Sequence, residues 1–167
     1  MTDFPEELSQ LKDLATAASG VSWRAVMDPT EGRVVEVHYR DGGQQIMSLK
    51  RDQAPANEDD VEFVAHSRDD VLRLTSALEG STKLTASELD EIEERIRKAS
   101  PGPWRPFLET DGGMAGTSVI WVTDSDNEAY LYLWIGNRIA PAPDFEFVAA
   151  ARNQMPRLLA AVRLVPA

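Results

Sequence analysis

The chain has 167 residues, of which 43% are hydrophobic and 27% charged, and it contains no cysteine. That absence excludes disulfides, thiol nucleophiles and thiolate metal sites, and fits a reducing cytoplasm. The 28 Asp and Glu against 17 Lys and Arg leave a net charge of −11, which repels phosphate backbones and anionic lipid, so nucleic acid and membrane surfaces are not expected partners.

The first helix is expected from about Pro5 to Ala18, with Asp3 and Glu6 spaced as a capping box and Leu8, Leu11, Leu14, Ala15 and Ala18 as its apolar stripe. Ser19-Gly20 stops it. Three strands should follow: Trp23 to Asp28, Arg33 to Arg40 and Gln44 to Lys50, joined at Asp28-Pro29-Thr30-Glu31-Gly32 and Asp41-Gly42-Gly43. Val35, Val37 and Tyr39 alternate with Glu36, His38 and Arg40, so this sheet has one wet face. Residues 51–59 read as a polar loop. A second helix opens at Asp59 or Asp60, where Asp59 and Glu62 have capping-box spacing, and it buries Phe63, Val64, Val71, Leu74 and Leu78 before Gly80 ends it.

Thr85 and Glu88 cap a third helix with the stripe Leu89, Ile92, Ile96 and Ala99. Pro101-Gly102-Pro103 breaks it and delivers Trp104 into a strand. Strands are expected over 104–109, 117–123 and 129–135, and a last helix over 144–164. Pro156 lies inside that helix, which predicts a kink or two segments, with the break near Gln154 or Met155.

The same unit is written twice. Asp60-Val61-Glu62-Phe63-Val64-Ala65 with Arg68 returns as Asp144-Phe145-Glu146-Phe147-Val148-Ala149 with Arg152, 84 residues later. Trp23-Arg24 returns as Trp104-Arg105 after 81. The fold class expected is α+β: a tandem duplication of an α-β-β-β-α unit, with antiparallel sheets flanked by helices and pseudo-twofold geometry. Residues 1–81 and 82–167 are the two repeats. Neither is large enough for a substantial core of its own, so both should share one core as a single domain. Trp23, Trp104, Phe63, Phe147, Asp60 and Asp144 are the anchors of the repeat. The first holds 8 Lys and Arg against 16 Asp and Glu, the second 9 against 12.

Chemistry-bearing motifs are scarce. His38 and His66 have no partner at ligand spacing, so each reads as a surface residue and no metal is expected. Asp124-Ser125-Asp126-Asn127-Glu128 reads as a hairpin turn, since a calcium loop needs a glycine at its sixth position and a distal glutamate. The glycines at 112, 113 and 116 precede no helix with a lysine, so no phosphate loop is present. No nucleophile elbow occurs, and no catalytic residue or cofactor is assigned. Two features remain as candidate binding sites. Arg68 and Arg152 fall at the edge of their helices' buried stripes, where each could stack on a tryptophan, pair with a buried acid or grip an anion between the repeats. Tyr130, Tyr132 and Trp134 point to one side of a strand whose other side carries Leu131, Leu133 and Ile135. An aromatic row of this kind is covered by helices or the other repeat, or anchors a dimer or a partner.

The run Arg97-Lys98-Ala99-Ser100-Pro101-Gly102-Pro103-Trp104, followed by Asp144-Phe145-Glu146-Phe147-Val148-Ala149-Ala150-Ala151-Arg152 and Pro156-Arg157-Leu158-Leu159, resembles phage early-region proteins of the Ead type and is similar to a group of actinobacterial proteins. The match covers residues 88–164; the first copy departs from it, with Ser19-Gly20-Val21-Ser22-Trp23 at the Pro-Gly-Pro-Trp step. Some relatives carry a basic, histidine-containing stretch after the tryptophan strand, where Thr110-Asp111-Gly112-Gly113 stands here. The resemblance implies a bacterial or phage source but no activity and no catalytic residue. The expected function is a non-catalytic acidic binding protein of the cytoplasm, an immunity, inhibitor or counter-defence factor that masks a basic protein. A nucleotide-like ligand held by the doubled arginines or the aromatic row, a homodimer, and a hydrolase with an unfamiliar site remain as alternatives.

Overall fold

The computed structural model describes residues 4–51, 54–109, 117–123 and 128–166. Among them are four helices and one antiparallel sheet of eight strands, an α+β fold. The elements are α1 (Phe4–Ala17), β1 (Ser22–Asp28), β2 (Gly32–His38), β3 (Gln44–Arg51), β4 (Ala54–Pro55), α2 (Glu58–Leu78), α3 (Ala86–Lys98), β5 (Trp104–Phe107), β6 (Val119–Thr123), β7 (Glu128–Ile135), β8 (Arg138–Ile139) and α4 (Ala142–Leu164).

Instead of separate sheets, the strands join in the order β1-β2-β3-β7-β6-β5, with β4 beside β3 and β8 beside β7. The join is the antiparallel pair β3–β7, where Leu49 stands opposite Leu133. Hydrogen bonds across that pair satisfy two strands that would otherwise each end a three-stranded sheet in unpaired N–H and C=O groups. Alternation then sorts the side chains. Met47, Leu49, Leu131 and Leu133 point to one face and are buried there with Trp23, Val35, Val37, Trp104, Ile120 and Val122. Helices α2 and α4 pack on that face through Phe63 and Phe147, and α1 and α3 pack in turn against α2 and α4. One core cluster contains residues from both halves of the sequence.

Local signals explain most boundaries. Gly20 ends α1 in a left-handed conformation (φ +70°), and a Cβ there would stand 2.4 Å from the His38 carbonyl oxygen, so only glycine fits. Asp28 Oδ1 accepts the Thr30 and Glu31 N–H groups, each at 2.8 Å, and shapes the β1–β2 turn. Thr85 and Glu88 form a reciprocal capping box on α3.

Four expectations change. The α2 N-cap is Asn57, whose Oδ1 accepts the Asp60 N–H at 2.8 Å; Asp59 lies inside the first turn, where its charge favours the helix dipole. Residues 51–59 hold the two-residue strand β4, and a second short strand, β8, follows β7. Helix α4 is one element through Pro156 and not two segments. The proline removes the bond to the Arg152 carbonyl, but Met155, Leu158 and Leu159 on either side of it are buried, and their packing holds the helix together. Asp3, the glycines at 112, 113 and 116, and residues 124–127 lie outside the described residues.

Candidate functional site

The repeated residues assemble into two buried clusters, each drawing on both halves of the chain. In the first, Asp144 accepts the Ser19 N–H and the Ser19 hydroxyl, both at 2.6 Å. The Ser19 carbonyl accepts the Trp23 indole N–H at 2.8 Å and Arg68 at 2.9 Å. The Trp23 ring meets Phe147 edge-on, with centroids 5.6 Å apart, and Arg68 lies 5.8 Å from the Trp23 centroid. The second cluster uses the equivalent residues. Asp60 accepts the Ser100 N–H at 2.6 Å and hydroxyl at 2.7 Å, and the Ser100 carbonyl accepts Trp104 Nε1 at 3.1 Å and Arg152 at 3.0 Å. Trp104 meets Phe63 edge-on, also at 5.6 Å.

The partnership is crossed. Ser19 and Trp23 take their aspartate and phenylalanine from the far half but their arginine from the near one; Ser100 and Trp104 do the same in reverse. Arg68 and Arg152 are thus core residues, only 5% and 9% exposed, each with one donor on a serine carbonyl and its guanidinium near an aromatic ring. Burial pulls both guanidiniums below their ordinary pKa, against Asp144 and Asp69 for Arg68 and against Asp60 for Arg152. Burial likewise pushes the Asp144 carboxyl up, opposed by the two Ser19 hydrogen bonds and the Arg68 charge. A third buried acid, Asp70, is raised by burial and clasped by Arg95 through two hydrogen bonds of 2.9 Å.

Tyr130, Tyr132 and Trp134 lie elsewhere. They point to the face of the sheet opposite the buried Leu131 and Leu133, away from α2 and α4, and all three are half-buried. Register extends the row into its neighbours. Trp134 stands opposite Ser48, Tyr132 opposite Lys50, Tyr130 opposite Trp121, and Trp121 opposite Arg105. The Arg105 guanidinium sits 5.3 Å from the Trp121 ring, and the Phe107 ring, of a residue 39% exposed, lies 6.2 Å from it. Among the described residues the indole N–H of Trp121 is buried without an acceptor. Three tryptophan and tyrosine positions were legible from alternation along β7. Trp121, Arg105 and Phe107 were not, because their place beside the row depends on the β5–β6–β7 register.

The two histidines also come together. His38 and His66, with Ser22, Trp23, Arg24 and Asp69, line a cavity of about 320 Å³ at the β1 side of the sheet. Glu36 holds both Arg24 (2.8 Å) and His38 (2.6 Å), and Glu62 stands 3.2 Å from His66. Burial lowers the His66 pKa, with the Arg95 charge acting in the same sense. Among the described residues no group of three or more histidine, aspartate or glutamate side chains could hold a metal ion, and no helix is long and apolar enough to cross a membrane. No protein-family model matches the chain, and no curated protein or solved structure matches it.

Proposed function

We propose that this chain is a non-catalytic, acidic protein-binding module, an immunity, inhibitor or counter-defence factor of the cytoplasm, that docks a basic protein on the sheet face turned away from α2 and α4. The observation that carries the reading is the aromatic row. Tyr130, Tyr132, Trp134 and Trp121 are half-buried on a face that α2 and α4 do not cover, and tyrosine and tryptophan anchor interfaces by combining large apolar area with a polar tip. The net charge of −11 steers a basic partner toward the protein.

The small-ligand alternative has less support. The arginines it required are buried, and each already bonds a carbonyl. Of the cations beside the aromatic row, Arg105 is stacked on Trp121 and Lys50 is paired with Glu31 at 2.6 Å.

The module is, on the same reading, a tandem duplication whose halves are related by a twofold axis between Leu49 and Leu133. Those two residues are 84 apart in sequence, the same offset as the repeated aspartates, phenylalanines and arginines. The mirrored strand order and the two crossed clusters support it. The resemblance to Ead-type proteins rests on these cluster residues, so the relationship we propose is one of fold. The test of function is quantitative: the Tyr132→Ala/Trp134→Ala variant should weaken capture of a basic partner at least tenfold while its unfolding midpoint stays near that of the parent. Unchanged capture, or capture insensitive to raising salt from 50 to about 500 mM, counts against the proposal.

A further inference from the structure

The two outer strands of the sheet differ. β5 has four residues, and its edge is closed. Asn153 on α4 accepts the Trp104 N–H at Oδ1 and donates from Nδ2 to the Trp104 carbonyl, both at 2.8 Å, so its amide stands where a further strand would bond. Pro106, two residues on, has no N–H to offer. Both are devices that prevent strand addition.

β1 lacks both. At the 81-residue offset of the tryptophans, Pro106 corresponds to Ala25; at the 84-residue offset of the arginines, Asn153 corresponds to Asp69. An aspartate has no N–H to donate to the Trp23 carbonyl and, ionised, cannot imitate an amide. β1 runs for seven residues, contains no proline, pairs only with β2, and among the described residues nothing bonds to its outer backbone groups. Val21 and Met27 at its two ends are 48% and 61% exposed.

We propose that the outer edge of β1 is a strand-addition site for an extended segment of a basic protein, one lysine or arginine of which reaches Asp69. Alternate backbone groups of β1 supply the affinity and a neighbouring cavity supplies the selectivity, as in other modes of β-augmentation. The cavity lined by Ser22, Trp23, Arg24, His38, His66 and Asp69 opens beside the first residues of the strand. Within it Arg24 and His38 are engaged by Glu36, and His66 by Glu62. Asp69 is exposed and, although its charge acts on the neighbouring Arg68 and His66, it forms no direct ion pair or hydrogen bond among the described residues, so its carboxylate is open to a cation. The basic character of the partner rests on the function proposed above, whereas the open edge does not.

The probe is a peptide of seven residues, the length of β1, alternating valine and threonine with lysine at both ends, compared with the same peptide carrying glutamate at both ends. Binding is followed on the intact protein by backbone amide chemical shifts. The lysine peptide should shift the amides of Ser22 to Asp28 and those of His66 and Asp69, and the glutamate peptide should bind at least tenfold more weakly. Asp69→Asn should erase that preference while leaving binding, and Ala25→Pro, which copies the closed edge, should remove binding of both peptides. Should Ala25→Pro fail to fold, the Asp69→Asn comparison decides alone. Shifts confined to Tyr130, Tyr132 and Trp134, equal binding of the two peptides, or protection of β1 amides by self-association without peptide would each overturn the assignment. The first and third of these outcomes leave the aromatic-face reading intact, whereas equal binding of the two peptides also counts against a basic partner.

Discussion

Replacing Asp60 by alanine tests the crossed clusters most directly. The carboxylate is 2% exposed and accepts the Ser100 N–H at 2.6 Å and the Ser100 hydroxyl at 2.7 Å. A hydrogen bond to a charged group contributes about 1.5–3 kcal/mol, and a buried donor left without an acceptor costs about 1–3 kcal/mol. These terms overlap, because the stranded donor is the lost bond seen from the other side. Arg152, 9% exposed, also loses its neighbouring negative charge. Asp60→Ala should therefore destabilise the protein by about 3–5 kcal/mol, the range expected when one partner of a buried charged set is removed. The Asp60→Asn variant keeps the volume and one carbonyl oxygen for the Ser100 N–H, while the serine hydroxyl can turn to accept from the new amide. That exchange should accordingly cost only about 1–2 kcal/mol. Urea unfolding followed by tryptophan fluorescence reads both, since Trp104 bonds the same serine. An alanine cost below about 1 kcal/mol, or equal costs for alanine and asparagine, would show that this contact is not what fastens α2 to the segment before β5.

Asp144→Ala should match Asp60→Ala within about 1 kcal/mol, as the two carboxylates make the same serine contacts; unequal midpoints would show that the two clusters are not energetically equivalent. Residues 1–81 and 82–167 expressed apart should each show little native circular dichroism and regain it on mixing, because each lacks the acid its serine needs; a folded half refutes this. Gly20→Ala should cost about 3 kcal/mol or more by urea titration, since its Cβ would meet backbone at 2.4 Å. His66 has its folded pKa lowered by burial, so its contribution is fully present above an imidazole's ordinary value of about 6.5 and is lost as pH falls below it. His66→Gln should flatten stability between pH 6.5 and about 5; an unchanged slope there removes His66 as the cause.

How far the sequence could be read depended on whether a signal was local. The Thr85–Glu88 capping box, the stop at Gly20 and the alternation through Val35 and Val37 need only neighbouring residues, and each stands where its pattern put it. The 84-residue echo marked Asp60 and Asp144 as equivalent but could not say which serine each would hold. Equivalence is a property of two segments, and partnership depends on how the halves meet. The union of the strands into one sheet was hidden for the same reason, since β3 and β7 are ordinary strands until each finds the other. Asn57 was missed as the α2 cap because Asp59 offered a competing capping-box spacing. The common cavity of His38 and His66 needed a strand and a helix to be brought side by side.

The acceptor for Ser19 lies 125 residues downstream. A nascent chain leaving the ribosome N-terminus first can build α1, β1 and β2 early, yet the turn between α1 and β1 has no carboxylate until Asp144 has been synthesised and delivered. Completion of the amino-terminal half thus awaits nearly the whole of translation, and contacts of such long sequence separation are slow to close. Until then β3 can already cover the edge of β2, but its own far edge waits for β7, and the strands of the first half stand open to whatever strand comes near.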